Sequence, residues 1–180
     1  MERRLTLQID TATTELADAL AEVAARTFPL ACPPSSTSED IDAFIAENLS
    51  ADRFARYLTD PDRTVLAARR DGRILGYAMT VRGVPDDPDV QRAVPLRPAI
   101  ELSKMYVLPD CHGAGVSAAL MDAVVRHASA QHAACVWLGV NQQNRRAQRF
   151  YGKHGFEVAG TKTFHLGAEI EHDYVMVRPA

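Results

Sequence analysis

The stretch that decides the fold is Glu101–Leu120, with the sequence ELSKMYVLPDCHGAGVSAAL. Its first part, through Val107, predicts a strand, and its last part has the apolar spacing of an amphipathic helix. Between them lies the turn Gly113-Ala-Gly115. Glycines let the main chain approach an anion closely, and the unpaired N–H groups at a helix N-terminus favour negative charge. The stretch therefore predicts a strand, a glycine turn and a helix that cradle a phosphate or diphosphate.

Two other phosphate-binding folds fit this turn less well. Gly113, Gly115 and Ala118 match the dinucleotide pattern Gly-x-Gly-x-x-Ala. However, residues 109–112 separate the strand from the first glycine, and the next strand ends at Asn141 rather than at an acidic residue that could hold a ribose. A P-loop is disfavoured because no Gly-Lys-Ser/Thr follows the turn. On these residues alone, a purely structural connection stays open.

The composition is that of one globular domain over residues 1–180, with 47% hydrophobic and 24% charged residues. No apolar run reaches the roughly 20 residues of a membrane helix, and the N-terminus lacks a signal peptide's apolar core. A net charge of −3 argues against a nucleic-acid partner. The three cysteines and six histidines show no metal-ligand spacing, so no metal site and a reduced, cytoplasmic setting are expected.

The apolar patterns predict an α+β domain in which helices flank a mixed, mostly antiparallel sheet. Residues 83–98 carry three prolines before their last residue and three aspartates, which predicts a mobile, solvated loop. The other predicted elements are a strand over Leu5–Ile9, a helix from Thr13 or Thr14 to before Cys32, a helix capped by Thr37, a short helix with Phe54 and Leu58, a hairpin with its turn at Asp71-Gly72, strands at Ala99–Leu108 and Val136–Val140, a helix over Asn141–Lys153, and strands at Phe156–Phe164 and Tyr174–Val177 about a turn at Gly167.

Two sequence blocks resemble the GNAT superfamily of acyl-CoA-dependent N-acetyltransferases. The first is Val107-x-Pro109 followed by His112-Gly-Ala-Gly-Val-Ser117, and the second is Asn141-x-x-Asn144-x-x-Ala147-x-x-Phe150-Tyr151-x-x-x-Gly155-Phe156. The resemblance implies a GNAT fold, acetyl-CoA as co-substrate and direct transfer of the acetyl group to an amine. The family usually has Arg or Gln where His112 stands and Gly or Ala where Ser117 stands. Both departures preserve the main-chain cradle.

A closer resemblance, to the bacterial spermidine/spermine acetyltransferase branch, covers most of the chain. It is carried by Thr27–Pro34, by Glu101–Val107, by Trp137–Val140, and by Phe164–Gly167 with Asp173–Met176. It implies a small primary amine as acceptor, with a polyamine as one candidate. A protein N-terminus, a lysine or an antibiotic amine stays open as the acceptor, as does a CoA-sensing module without turnover. The oligomeric state stays open too, including a homodimer.

The resemblance assigns cofactor-binding roles to four parts of the chain. The main chain of Met105, Tyr106 and Val107 would pair with pantetheine, and N–H groups near Met105 would polarise the thioester oxygen. Asn144 would bond the pantetheine amide, with a plain helix N-cap as the alternative role. Lys153 completes the set. The residues expected around the diphosphate are His112, Gly113, Ala114, Gly115, Val116 and Ser117.

Tyr151 occupies the family's general-acid position, and Glu101 is the candidate base. The alternatives are a core tyrosine whose hydroxyl reaches water and a partly exposed strand carboxylate. Strict strand alternation would place Glu101, Ser103, Met105 and Val107 on one face. At about 3.3 Å per residue, Glu101 would lie roughly 13 Å from Met105, so proton abstraction would run through water.

Several further charged or nucleophilic residues are weaker candidates. Cys111 adjoins the glycine turn, but no base is implied beside it, which disfavours a covalent acetyl-enzyme. Two groups could attract a polyamine or simply form solvated faces. They are His165, Glu169, Glu171 and Asp173 near the last turn, and Glu39, Asp40, Asp42 and Glu47 in the second helix.

Overall fold

The computed structural model describes residues 6–111 and 115–180. Within these ranges the chain forms seven strands and six α-helices, which confirms the predicted α+β class. In chain order they are β1 (Gln8–Thr11), α1 (Ala17–Ala31), α2 (Ser38–Asn48), α3 (Ala51–Thr59), β2 (Arg63–Arg70), β3 (Arg73–Arg82), α4 (Pro88–Ala93), β4 (Ala99–Val107), α5 (Val116–Ala130), β5 (Cys135–Asn141), α6 (Arg145–Lys153), β6 (Glu157–Leu166) and β7 (Glu169–Pro179).

Local sequence signals explain where several elements begin. The hydroxyl of Thr37 accepts a hydrogen bond from the backbone N–H of Asp40 at 3.1 Å, which confirms it as the cap of α2. The turn Asp71-Gly72 joins β2 to β3 with both residues at positive φ, the geometry of a two-residue hairpin. Leu5, the start of the predicted first strand, lies outside the described residues.

The strands form one sheet in the order β1-β2-β3-β4-β5-β7-β6. Every neighbouring pair is antiparallel except β4 and β5, which are parallel. These two central strands pair only from Ala99–Glu101 to Cys135–Trp137. Across the described residues beyond that point they are not paired, so a wedge opens in the middle of the sheet.

A β-bulge interrupts strand β4 at the start of the wedge. Thr80 of β3 pairs with Leu102, but its neighbour Met79 pairs with Lys104. Ser103 is therefore an extra residue in β4, and such a residue changes which side chains point to which face of the sheet.

The strict alternation predicted for β4 is therefore wrong. Glu101 precedes the bulge, Ser103 forms it, and Met105 and Val107 follow it. Lys104 comes close enough to Glu101 to affect the pKa of its carboxyl group. A local insertion of this kind leaves no mark in the hydrophobic pattern, which is why alternation failed here.

Helices cover both faces of the sheet. Helices α1 and α3 pack on each other, and α1 also contacts β3 and β4. Helix α5 contacts β2, β3 and β4 and buries Leu120, Met121 and Val124. Because both groups of helices pack on the same strands, they cover them from opposite sides. No helix in the described ranges is long and apolar enough to cross a membrane.

The predicted mobile loop at residues 83–98 is wrong, because it contains helix α4. The carboxylate of Asp87 accepts a hydrogen bond from the backbone N–H of Asp89 at 2.9 Å, and Pro88 occupies the first turn, where proline is tolerated. Val90 and Val94 are buried at helical spacing. The prolines concealed a helix of six residues.

Helix α4 closes one end of the wedge. Its apolar residues pack in a small second core with Trp137, Cys135 and Val175. The indole Nε1 of Trp137 donates to the backbone oxygen of Gly83 at 3.1 Å. The base of the wedge is thus rigidly packed.

The β6–β7 hairpin is longer than its apolar pattern predicted. Its turn lies at Gly167, as predicted, with φ of +61°. Strand β7 begins at Glu169 rather than Tyr174, and β6 ends at Leu166 rather than Phe164, since their polar residues pair with one another as well. The turn of the hairpin contacts Asp40 of α2, so the hairpin and α2 meet over the wedge.

Candidate active site

A cavity of about 320 Å³ occupies the wedge between β4 and β5. We call it the charged cavity, because three carboxylates and two lysines line it. Its charged residues are Glu101, Lys104, Lys162, Glu171 and Asp173, and its other lining residues are Phe28, Ala31, Cys32, Pro33, Phe44, Leu49, Leu102, Ser103, Met105, Tyr106, Gly139, Val140, Asn141, Asn144, Ala147, Tyr151, Phe164 and Leu166.

The hairpin β6–β7 supplies most of the charge. The Nζ atom of Lys162 lies 3.4 Å from Oδ2 of Asp173. Glu171 is buried, and its Oε2 accepts a hydrogen bond from the side-chain amide of Asn141 at 3.2 Å. These carboxylates are fixed in place, so they can attract a cation without first becoming ordered.

Burial shifts the pKa of three of these charged groups. It raises the pKa of Glu101 above its ordinary 4.5, and the positive charges of Lys162 and Lys104 partly oppose that shift. It also raises the pKa of Asp173, again opposed by Lys162. Burial lowers the pKa of Lys104 to about 8. Glu101 and Lys104, which both lie on β4, can therefore change protonation closer to neutral pH than they would in water.

A second cavity, of about 520 Å³, lies on the other side of Tyr151. We call it the apolar cavity. It is lined by Thr27, Leu30, Ala31, Met105, Tyr106, Val107, Gly115, Val116, Ser117, Ala118, Asn144, Arg146, Ala147, Phe150 and Tyr151. The residues that line both cavities are Ala31, Met105, Tyr106, Asn144, Ala147 and Tyr151. A long ligand in one cavity could therefore present its end to the other.

Of the described residues that the sequence assigned to the cofactor, all but Lys153 line the apolar cavity. Met105, Tyr106 and Val107 form its strand wall. Gly115, in the left-handed region with φ of +78°, precedes the first turn of α5. Val116 and Ser117 of that turn also line the cavity. His112, Gly113 and Ala114 lie outside the described residues.

This cavity suits a pantetheine arm. Its walls are mostly apolar, and one of them is a length of β4 that is not paired with β5 in the described structure. An extended amide-containing chain can add to such a strand edge. The start of α5, a helix of 15 residues, supplies unpaired N–H groups at the far end.

Tyr151 stands where the two cavities meet. Its ring is half-buried and packs against Phe150 and Phe156, with centroids 5.6 and 5.9 Å away. Burial raises the pKa of Tyr151 to about 12, so the phenol keeps its proton at neutral pH. A protonated phenol between two cavities can donate its proton to a leaving group that forms in either cavity.

Asn144 and Lys153, at opposite ends of α6, differ in their surroundings. The side-chain oxygen of Asn144 accepts a hydrogen bond from the backbone N–H of Ala147 at 3.1 Å, which confirms the N-cap role. Asn144 also lines both cavities. Lys153 is exposed, and among the described lining residues it belongs to neither cavity. Its part in holding the cofactor stays a prediction.

The weaker candidates for functional residues also differ in whether they line a cavity. Cys111 is buried in the main core and lines neither cavity within the described residues, so a nucleophilic role has no support. Glu171 and Asp173 lie in the charged cavity. The exposed candidates that line neither described cavity are His165, Glu169, Glu39, Asp42 and Glu47.

Sequence reasoning missed both lysines of the charged cavity. Lys104 enters it because of the bulge at Ser103, which has no local signal. Lys162 enters it because residue 162 pairs with Asp173 across the hairpin. Recognising the full length of the hairpin would have placed these two residues opposite each other.

Comparison with known proteins identifies the family of the chain. The model of the acetyltransferase (GNAT) domain family matches residues 32–170. An uncharacterized N-acetyltransferase of Mycobacterium tuberculosis is 59% identical over 162 residues, which cover 90% of this chain and 96% of that protein. A protein of the same description from Mycobacterium bovis has the same identity and coverage.

Solved structures share the fold. The PaiA N-acetyltransferase from Thermoplasma acidophilum, crystallised in complex with coenzyme A, matches 98% of this chain and 100% of its own, with a TM-score of 0.77 and 19% identity. The ribosomal-protein-S18-alanine N-acetyltransferase from Escherichia coli matches 97% of this chain and 94% of its own, with a TM-score of 0.65 and 19% identity.

Proposed function

Because the chain belongs to the GNAT family of acetyl-CoA-dependent N-acetyltransferases, we propose that it acetylates a small primary amine bound in the charged cavity. The observation that carries the proposal is the meeting of two unlike cavities at Tyr151. One is apolar and fits the pantetheine arm, and the other holds carboxylates that suit an amine. In this proposal, residues 1–180 act as one catalytic domain in the cytoplasm.

The apolar cavity would hold acetyl-CoA, which supplies an acetyl thioester. The main chain of Met105–Val107 would pair with pantetheine, and Asn144 would bond the pantetheine amide through its side-chain N–H groups. Residues 112–117 would bind the diphosphate, with Lys153 nearby. Backbone N–H groups near Met105 would polarise the thioester carbonyl, an effect worth on the order of 3 kcal/mol per donor.

Tyr151 would serve as the general acid. As the amine nitrogen forms its bond to the acetyl carbon, the carbon–sulfur bond breaks and a thiolate departs. The phenol of Tyr151 gives that sulfur a proton. Its raised pKa ensures that the proton is present at neutral pH, although the same shift makes the phenolate short-lived.

Glu101 would take the proton that the amine loses. An alkyl ammonium with a pKa near 10 is not strongly deprotonated by a carboxylate, so Glu101 would act as a relay through water and as an attracting charge. Its raised pKa makes it a better proton acceptor than an exposed glutamate. Its place in the cavity, at the base of the wedge, supports that role.

The acceptor is a small, cationic primary amine. The three carboxylates favour a cation, and the sequence resemblance suggests polyamines within that class. Lys104 and Lys162 lie in the same cavity and limit the positive charge that an acceptor can add. Aromatic rings of Phe28, Phe44 and Phe164 offer an apolar wall for the rest of the molecule.

A thiol-release assay tests the proposal. The full-length protein is given acetyl-CoA and a panel of amines: alkyl monoamines, spermidine and other polyamines, an aminoglycoside, and peptides with a free N-terminus or lysine. We expect turnover with small amines and none with the peptides. Calorimetric binding of CoA without thiol release for any amine would overturn the proposal and favour a CoA-sensing module.

A further inference from the structure

The side chain of Lys162 is a primary alkylammonium held inside the charged cavity. Its Nζ atom lies 3.4 Å from Oδ2 of Asp173, and the two side chains are only 19% and 10% exposed. The same nitrogen lies 5.8 Å from the ring centroid of Phe164, over its face. Its positive charge also stabilises the carboxylate form of Glu101. The cavity therefore contains an ammonium subsite that the protein itself fills.

The cavity is shaped to admit this lysine. Residue 139 in β5 is a glycine, and a Cβ there would collide with Cε of Lys162 and lie 3.3 Å from Oδ2 of Asp173. The missing side chain leaves room for the methylene chain of Lys162, which crosses the face of β7 to reach Gly139 on β5. The ammonium thus reaches the wedge rather than the solvent.

We propose that Lys162 determines acceptor specificity by occupying a second cation subsite, so that the enzyme accepts amines with one ammonium group and discriminates against diamines and polyamines. This inference rests on the proposed function and narrows its acceptor class by removing the polyamines that the sequence resemblance suggests. Lys162 is paired with Asp173, and its positive charge, followed by those of Lys104 and Arg63, also acts on the carboxyl group of Glu101. The third carboxylate among the described lining residues, Glu171, accepts a hydrogen bond from the side-chain amide of Asn141.

The uncharged part of such an acceptor has a wall to pack against. Phe28 and Phe44 are stacked with centroids 4.5 Å apart, and Phe44 lies 5.6 Å from Phe164. These rings line the cavity on the side of α1 and α2. An alkyl or aryl tail would be buried there, whereas a second ammonium would meet the positive charge of Lys162.

The test compares amines that differ only in their second charge. The kcat/KM of wild-type enzyme is measured for pentylamine against 1,5-diaminopentane and for hexylamine against 1,6-diaminohexane. We expect wild type to prefer each monoamine. In Lys162→Met, which keeps an unbranched side chain one atom shorter and without charge, we expect the diamine-to-monoamine ratio to rise by roughly tenfold or more, about 1.4 kcal/mol.

Two further variants separate charge from shape. Lys162→Arg keeps the positive charge and should keep the preference for monoamines. The double variant Lys162→Met with Asp173→Asn also removes the carboxylate that Lys162 pairs with in the wild type. Its diamine-to-monoamine ratio should therefore fall back from the raised value of Lys162→Met. Thermal melting of each variant establishes that it is folded, and wild type alone already tests the predicted preference.

The outcomes distinguish this inference from the proposed function. A wild-type enzyme that prefers diamines, or a folded Lys162→Met variant with an unchanged ratio, would overturn the role of Lys162 while leaving the acetyltransferase reaction intact. Absence of thiol release with every amine would overturn the proposed function, and this inference with it.

Discussion

The apolar cavity and the charged cavity share a wall but are built in different ways. Much of the apolar cavity comes from one run of chain, from Met105 on β4 to Ala118 on α5, together with α6. The charged cavity draws on α1, α2, β4, β5, α6 and both strands of the last hairpin. The proposed co-substrate site is thus encoded locally, whereas the proposed acceptor site depends on how distant elements are packed.

The two cavities also differ in what their residues can do. Apart from Tyr151, the apolar cavity has few groups that can exchange a proton, and its main contribution is an open strand edge and a helix start. The charged cavity contains buried carboxylates and amines whose pKa values are shifted. We therefore assign binding of the co-substrate to the apolar cavity. Proton movement and the choice of acceptor are assigned to the charged cavity.

The largest effect is expected at the shared wall. Tyr151→Phe should lower kcat by about 10²–10⁴-fold, the range of general acid–base catalysis, because the departing sulfur loses its proton donor. The ring remains, so the Kd of acetyl-CoA should stay nearly constant. Single-turnover kinetics and calorimetry measure the two quantities. A variant with normal kcat would remove Tyr151 as the acid.

Replacing Glu101 should affect the charged cavity alone. A relay needs the carboxylate, so kcat/KM should rise with pH as Glu101 loses its proton, at a pH above the ordinary range for glutamate because its pKa is raised. Glu101→Gln should lower kcat/KM at neutral pH by roughly a hundredfold and abolish that acidic limb. The pH–rate profile of the amine reaction measures both. An unshifted profile would exclude Glu101 as the relay.

Lys104 gives a test through stability. Its pKa is lowered to about 8 from 10.5, so the folded protein binds fewer protons than the unfolded chain between these pH values, and this group favours folding increasingly as pH rises. Below pH 8 Lys104 is charged in the folded protein, and burying that charge lowers the free energy of unfolding. Since one pKa unit corresponds to about 1.4 kcal/mol, Lys104→Met should raise the free energy of unfolding by up to about 3 kcal/mol at pH 7.

That advantage should shrink between pH 8 and 10.5, where wild-type Lys104 becomes neutral. Urea unfolding of both proteins at several pH values measures the difference, which isolates Lys104 from the tyrosines that titrate nearby. A constant difference across this range would contradict a buried, shifted amine.

The smallest effect is expected at Asn144. Loss of the cap in Asn144→Ala should lower the free energy of unfolding by about 1 kcal/mol, whereas Asn144→Ser keeps an oxygen at the cap and should preserve most of it. If Asn144 also binds pantetheine, both variants should weaken acetyl-CoA affinity severalfold. Affinity unchanged in both would leave Asn144 with its structural role only.

The contrast between the cavities also explains what could be predicted from the sequence. The strand before Leu108, the helix after Gly115 and the cap at Thr37 follow from local patterns, and each was confirmed. The position of Tyr151 beside the strand wall followed from a motif of the same local kind.

The acceptor side depended on features that local patterns do not encode. The bulge at Ser103 brings Lys104 into the cavity, and the register of the hairpin places Lys162 against Asp173. Helix α4 was concealed by its prolines although Val90 and Val94 have helical spacing. For the bulge and the hairpin register, tertiary packing, rather than local propensity, determines the position.

Hydrogen–deuterium exchange of the full-length protein with saturating CoA tests the division between the two cavities most directly. We predict slower exchange of the backbone amide hydrogens along Met105–Val107 and in the first turn of α5, because CoA would pair with that strand edge and bind at that helix start. Exchange along Glu171–Asp173 should not change until an acceptor amine is added. Protection of Glu171–Asp173 by CoA alone, with none along Met105–Val107, would contradict the account.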